Sequence, residues 1–461
     1  MDSAALLTVR CTIAAVEDGY CPEDVPTEFI PGFEGNQGKE EGPMRIVFVI
    51  FPFIQLFCLL LWAGQGYSTT PTLLADIHPS GSSGPGFFAV FDSKLYFRAK
   101  DPTYGTELWV YDGIHPPERV TDINPGTGNF SPQYLTVFNN KLYFYGNDGT
   151  HGTELWAYDG VSPPVMIADI NPTGSSDPMY LIVFNSKLYF SANDGVNGME
   201  VWSYDGTNPP SMLADIYPGA SGSIPTYYAV FNSKLYFSAN DGTHGKELWA
   251  YDGALPPAMA YDIAPGADTS VPGELTVFQS KLYFSASPPA SVYELWFFDG
   301  TNPPEQLADI NPGDANGSYP DILAASETRL FFAADDGTHG WELWSYDGLN
   351  PPAMVADIIP GENTIYYGAI YNSNFYFDAC DTTNGCEVWI YDGNNTPTLL
   401  ADINPVGDSF PEDFFVFNGK LFFSADDGTT GREPWVYDDG TSSQHFPWIM
   451  FMPVLIHPEP Q

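Results

Sequence analysis

From Tyr134 to Ile170 the chain reads YLTVFNNKLYFYGNDGTHGTELWAYDGVSPPVMIADI. Its hydrophobic positions fall in four short runs rich in Val, Ile, Phe, Tyr and Trp, each bounded by turn residues, and such runs predict β-strands. YLTVF and KLYF are joined by Asn139-Asn140, a two-residue hairpin of the kind that accepts positive φ at Asn. GNDGTHG joins the second run to the third, and DGVSPP joins the third to the fourth. The longer, Pro-bearing NPTGSSDP then leads away. One unit is therefore expected to be a four-stranded antiparallel meander. Successive strand residues point to opposite faces, which puts Glu154, Trp156 and Tyr158 on one side and Leu155 and Ala157 on the other. Leu142 and Phe144 likewise oppose Lys141 and Tyr143. Large apolar groups on both faces require a neighbouring sheet on each side.

The unit recurs. ELWxYDG or a close variant begins at Glu107, Glu154, Glu200, Glu247, Glu294, Glu342, Glu387 and Glu433, and its Trp positions step by 45 to 48 residues. A period of that size marks a repeat architecture. Four-stranded sheets stacked face to face describe a β-propeller, whereas the coils of a β-solenoid are shorter and parallel. Eight fourth strands end in Ala-Asp-Ile or a variant, with Asp at 76, 122, 169, 215, 262, 309, 357 and 402. The first of these (Thr72 to Ile77) precedes any Trp motif, and the last Trp motif has none after it. An all-β, eight-bladed β-propeller over residues 69–441 follows, with the N-terminal strand completing the last blade so that no open edge remains. The tail 442–461 contains FPWIMFMPVLI, which lacks the Asp and is too short to span a membrane. It reads as a packed extension or a sorting signal.

Residues 44–68, MRIVFVIFPFIQLFCLLLWAGQGYS, carry one Arg, an apolar run from Ile46 to Ala63 and then small residues. This is the layout of a secretory signal peptide. The run is also long enough for a membrane span, but Pro52, Gln55 and the small residues favour a cleaved signal. Signals begin at an N-terminus, so Met44 is the expected start and residues 1–43 a mis-assigned one. If translated, they form an acidic, Gly- and Pro-rich tail that is expected to be disordered. The reading is a secreted or cell-surface protein, with no membrane insertion after cleavage.

Charge narrows the partners. Lys and Arg total 15 against 58 Asp and Glu, a net charge of −43. Nucleic acid and anionic membranes demand clustered cations that this chain lacks. Cys380 and Cys386 face each other across one predicted hairpin, where other copies have Asn193/Met199 or Asn147/Thr153. Facing cysteines point to a disulfide and an oxidising compartment.

Two sets of residues could carry chemistry. The hairpins between second and third strands each offer an Asp (Asp148, Asp194, Asp241, Asp336, Asp381, Asp427) and a Glu six residues on. Calcium, which takes six to eight oxygens, is the one cofactor these loops suggest, with Asp148, Asp194, Asp241, Asp336 and Asp427 as ligands. Asp-Gly also serves a tight turn for conformational reasons alone. The slot of His151, His244 and His339 holds Asn197, Asn384, Thr430 or Tyr104 elsewhere, an exchange that argues against metal or catalytic work. The second set opens the innermost strands. That position is aromatic in five copies (Phe87, Tyr134, Tyr180, Tyr227, Tyr367) and acidic in three (Glu274, Asp321, Asp413). It should lie at the mouth of the central channel, on the face of the Asp-rich loops. Aromatics beside carboxylates suit a sugar or a cation, and drift at a half-exposed strand end is the bland alternative. The acidic trio is the one constellation that could serve a glycosidase. The regular spacing leaves no insertion to wall a catalytic pocket, and no nucleophile elbow, phosphate loop or zinc spacing occurs.

The eight ELWxYDG copies, with KLYFSANDGTHG before and LADINPG after, resemble the bacterial repeat family named for its ELWxxDGT motif, over about residues 72 to 440. Phe298 for Tyr, Pro434 for Leu and the absent Asp-Gly of the fifth hairpin depart from the pattern. The resemblance implies a secreted or surface propeller-like protein, of a kind sometimes labelled hyalin-like, and brings no catalytic residues. The expectation is a monomeric disc that binds an extracellular glycan or protein without catalysis. Its alternatives are a carbohydrate-active hydrolase or lyase and a calcium-stabilised structural protein of the cell surface.

Overall fold

The structure, a computed structural model, describes residues 70–440 apart from 289–291, 314–316, 360–364 and 366. The expected signal segment, the residues before it and the tail 442–461 lie outside the described residues. Every element among them is a β-strand, and the strands form eight four-stranded antiparallel sheets. Seven sheets take four consecutive strands in chain order, and the eighth joins the last three strands to the first one of the chain. The second blade, for example, is Gln133–Phe138, Lys141–Asn147, Thr153–Tyr158 and Val165–Ala168. The innermost strands are Gly86–Phe91, Gln133–Phe138, Met179–Phe184, Thr226–Phe231, Gly273–Phe278, Asp321–Ala325, Gly368–Tyr371 and Glu412–Phe417, which open blades 1 to 8. Each touches the next and the last touches the first, so the ring is closed. The molecule is an eight-bladed β-propeller.

The last blade closes as the strand count requires. Thr72–Leu73 adds to Arg432–Tyr437, with Thr72 opposite Val436 and Leu73 opposite Trp435. The core is not central but divided among the blade interfaces. Phe138, Tyr143, Leu155 and Ala157 of blade 2 pack with Leu188, Phe190, Trp202 and Tyr204 of blade 3. Leu142, Phe144, Trp156 and Tyr158, from the other face of blade 2, pack on blade 1. Leu95, Phe97 and Ala99 of blade 1 meet Phe417 and Phe422 of blade 8 in the same way. Complete burial of a Leu or Phe side chain contributes roughly 1.5–3 kcal/mol, and a blade presents such residues on both faces, as the alternation predicts. A blade alone would expose both.

What joins one blade to the next is the Glu that opens each Trp motif. All eight are fully buried, and the hydrogen-bonded ones hold the connector leading into the next blade. Glu200 accepts from the backbone N–H of Ile216 at 3.1 Å, Tyr217 at 3.1 Å and Ser223 at 2.8 Å, and from the Ser223 hydroxyl at 2.6 Å. Glu247 does the same with Ile263, Ala264 and Ser270. Glu433 repeats the pattern across the closure, taking the N–H groups of Ile77, His78 and Ser83 and the Ser83 hydroxyl, some 350 residues back along the chain. A buried carboxylate is tolerated only when so bonded. Burial nonetheless holds Glu200, Glu247 and Glu433 above the usual carboxylate range.

Candidate functional site

The expected mouth positions do not all open their strands. They are second in the innermost strands of blades 1 to 5 and 8, first in blade 6 and just before the strand in blade 7. In the six second positions a backbone feature sets them that the alternating pattern does not announce. In blade 3, Met179 pairs with Ser191 and Ile182 with Tyr189, so Tyr180 and Leu181 together face one residue of the second strand. This is a β-bulge, a device that re-aims a side chain. The same shift recurs in blades 1, 2, 4, 5 and 8. At each bulge the mouth residue has a left-handed backbone: Phe87, Tyr134, Tyr180, Tyr227, Glu274 and Asp413 have φ of 52 to 57°. That conformation favours Gly or Asn and costs roughly 1–3 kcal/mol in a bulky residue. The chain spends that strain six times on rings and carboxyls.

The rings form a contiguous arc. Phe87 and Tyr134 have centroids 5.8 Å apart, Tyr134 and Tyr180 5.4 Å, and Tyr180 and Tyr227 5.7 Å. Arg98 caps the start of the arc, its guanidinium carbon 4.8 Å from the Phe87 centroid. Beyond Tyr227 the ring turns acidic. Glu274 hydrogen-bonds the Asp321 side chain of the next blade and accepts from the Ile322 N–H at 3.2 Å. Burial first, then the charge of Asp321, pushes Glu274 up to about 7, and burial raises Asp321 as well. Tyr227 feels both acids, although burial is the larger reason for its raised pKa. A cleft of about 360 Å³ opens between arc and acids, lined by Tyr180, Ile182, Tyr227, Glu274, Thr276 and Ile322 among others.

Asp413 stands apart from that pair. It accepts from the Phe87 backbone, lies close to Gly86 and is raised by burial. Tyr367 is set differently again. Blade 7 has no bulge, its inner pair running without a shift from Gly368 opposite Phe377. Tyr367 precedes the strand, its N–H donating to Asp378 at 2.6 Å. The eight mouth positions thus resolve into an aromatic arc with an acid pair at one end and Asp413 against Phe87 at the other, with Tyr367 set apart. Arg98 was not legible as a site residue, since nothing in KLYFRAKD marks it beyond its departure from the Ser found in KLYFSAN.

The hairpin aspartates are placed otherwise. Asp148 accepts from the N–H groups of Thr150 and His151 at 2.8 and 2.9 Å through one oxygen, and its other oxygen bonds His151 Nδ1 at 2.7 Å. Asp241 and Asp336 repeat this with His244 and His339. In blade 3 Asn197 Nδ2 donates to Asp194 at 2.8 Å, and in blade 8 the Thr430 hydroxyl donates to Asp427 at 3.0 Å. Histidine and asparagine exchange here because each supplies an N–H at one point of a closed turn. The Glu six residues on is committed to its connector. Among the described residues no three His, Cys, Asp or Glu side chains converge to hold a metal. In these loops the aspartates serve the conformational role of Asp-Gly, each closing its own turn. Gly195 fits the same picture: its φ is 80°, and a Cβ would stand 2.6 Å from Asn171 Oδ1.

Cys380 and Cys386 occupy directly paired positions and are joined by a disulfide. On the opposite face a cleft of about 420 Å³ lies between the turns of blades 6 and 7. Its one cation, Arg329, is engaged by the Ser345 hydroxyl and the Gly393 carbonyl. The convergent chemistry is at the channel mouth.

No family model matches the chain, and no curated protein is similar to it. Some solved structures are similar to it. The propeller domain of the Trilobed protease of Pyrococcus furiosus is 11% identical, with TM-score 0.41, over 77% of this chain and 96% of that one. A puromycin-hydrolyzing peptidase of Mycobacterium tuberculosis is 10% identical, with TM-score 0.46, over 81% of this chain and 54% of that one. The acylaminoacyl peptidase of Pyrococcus horikoshii is 11% identical, with TM-score 0.41, over 77% and 51%. The chain spans about half the length of these two peptidases.

Proposed function

We propose that the chain is a secreted or cell-surface binding module, a non-catalytic acidic propeller of ELWxxDGT-type repeats that holds an extracellular glycan or protein at its channel mouth. The observation that carries this reading is the arc from Phe87 to Tyr227, set on strained bulges beside a cleft of about 360 Å³. Specific pockets combine such apolar walls with a few placed polar groups. Strain kept where the backbone would accept Gly points to use of the side chain. Catalysis fits less well. Glycosidase carboxyls stand about 5 to 9.5 Å apart, whereas Glu274 and Asp321 hydrogen-bond each other directly.

Thermal unfolding of the full chain across a panel of extracellular glycans tests the reading, because a ligand of the folded state raises the midpoint by mass action. At least one glycan is expected to raise it, and Tyr180→Leu is expected to remove that shift. A shift that survives Tyr180→Leu places the ligand elsewhere and overturns the mouth. The same panel with calcium and EDTA separates the structural-protein alternative, which requires a calcium-dependent midpoint.

A further inference from the structure

We propose that the channel mouth selects an organic cation, an ammonium or guanidinium group presented by its ligand; this rests on the mouth being the binding site. The faces of aromatic rings attract cations through their quadrupoles. Here four rings from successive blades stand with centroids 5.4 to 5.8 Å apart. The arc already accepts one such group, since the Arg98 guanidinium lies over Phe87. Among the described residues no cation lies over Tyr134, Tyr180 or Tyr227. The arc also ends against carboxyls rather than in open solvent. Tyr227 adjoins Glu274, Glu274 bonds Asp321, and the cleft is lined by Tyr180, Tyr227 and Glu274 together. An ammonium in that cleft has rings on one side and carboxyl oxygens on the other.

Competing ligands fit these walls poorly. Calcium seeks six to eight oxygens, whereas much of this wall is aromatic or aliphatic carbon from Tyr180, Ile182, Tyr227 and Ile322. An anion meets the acid pair and the field of a chain at −43. A wholly neutral sugar stacks on the arc but gains no charge attraction from Glu274 and Asp321, which an ammonium gains as the pair gives up its shared proton.

Two sources could present the group, a glycan with free amines or a basic peptide. Titration calorimetry on the full chain with glucosamine oligomers, their N-acetylated counterparts of equal length, and an Arg- and Lys-containing peptide distinguishes them. Runs at about 0.15 and about 0.5 M salt screen bulk attraction to the acidic surface. The free-amine oligomer or the peptide is expected to bind about tenfold or more tightly than the N-acetylated oligomer, a difference of about 1.4 kcal/mol. Glu274→Gln, and independently Asp321→Asn, is expected to remove that advantage, so that the free-amine and N-acetylated oligomers bind with equal affinity. Either variant alters one charge out of a large excess, so a general attraction to the acidic surface would be left intact. Equal binding of amine and N-acetyl forms, with both lost in Tyr180→Leu, overturns cation selection and keeps the mouth as a binding site. A cationic preference indifferent to both acid variants also overturns it. Binding of every probe indifferent to Tyr180→Leu overturns the site itself, and the inference with it.

Discussion

At the residue scale, Phe130 alters the behaviour of a buried acid by occupying a position where six other connectors place a serine. Ser83, Ser176, Ser223, Ser270, Ser318 and Ser409 each give a hydroxyl to the Glu of the preceding Trp motif. In the first connector the serine is displaced by one residue, to Ser131, and Glu107 receives no hydroxyl, only backbone N–H groups of Ile123 and Phe130. Burial pushes Glu107 up to about 8. Its folded value is raised, so its contribution to stability is complete below about 4.5 and is lost as pH rises toward about 8. Denaturant unfolding should therefore show the chain losing stability between pH 5 and pH 8 (about the range between the two values) more steeply than Glu107→Gln. Equal slopes would show that Glu107 does not titrate in that window. Glu274 carries a related expectation. Its charge develops as pH rises through about 7, against the facing groups Tyr227, Asp321 and the Ile322 amide. Affinity for a cationic ligand should strengthen over that interval, and calorimetry at successive pH values measures it. The Ser-x-Pro signature of the connectors was present in the sequence. Its meaning was not, because Glu154 at an alternating strand position looks like a surface acid until the connector is laid over it.

At the scale of the element, the connector depends on its carboxylate more than on its own composition. Replacing Glu247 by Gln keeps the shape but exchanges an acceptor oxygen for a donor, against the N–H groups of Ile263, Ala264 and Ser270. Leaving buried donors unpaired costs about 1–3 kcal/mol. Hydrogen exchange at these three amides should accelerate in Glu247→Gln while the amides of blade 8 hold their protection. Uniform acceleration would instead mean that the blades do not open separately. The hairpin turns were readable at this scale, since Asp-Gly, the Asn-Ser turns and the facing cysteines act within a few residues. The bulges were not. YLTVF alternates like an unbroken strand, and nothing local says that Tyr134 turns left-handed; that appears only in the shifted register of the inner strand against the second strand of its blade.

At the scale of the molecule, closure is the stabilising event with the longest reach. Glu433 makes the same bonds as Glu247 but joins residues about 350 positions apart. The closing strand itself has only two ladder residues. A contact that closes so long a loop restrains the whole ring, and an opened propeller exposes sheet edges. Glu433→Gln should therefore lower the thermal midpoint further than Glu247→Gln, as calorimetry would register. If the two fall equally, the hydrophobic seam of Leu95, Phe97, Phe417 and Phe422 closes the ring without help.

Period, alternation and turn chemistry are local properties of a chain, so the sequence by itself determined the four-stranded unit, its eight copies, the burial of both faces and the strand borrowed from the N-terminus to finish the last blade. Even the pairing of Cys380 with Cys386 lies within one hairpin. The mouth was nominated by the same means, as eight positions that break pattern. What those positions do was decided only by tertiary structure. Glu274 and Asp321 are 47 residues apart and meet because adjacent blades bring their inner strands together. Phe87, Tyr134, Tyr180 and Tyr227 become one surface because bulges swing them into a shared channel. Hydrogen bonds and ring contacts act over a few ångströms, and a repeat of 45 to 48 residues says nothing about that range until the ring is closed.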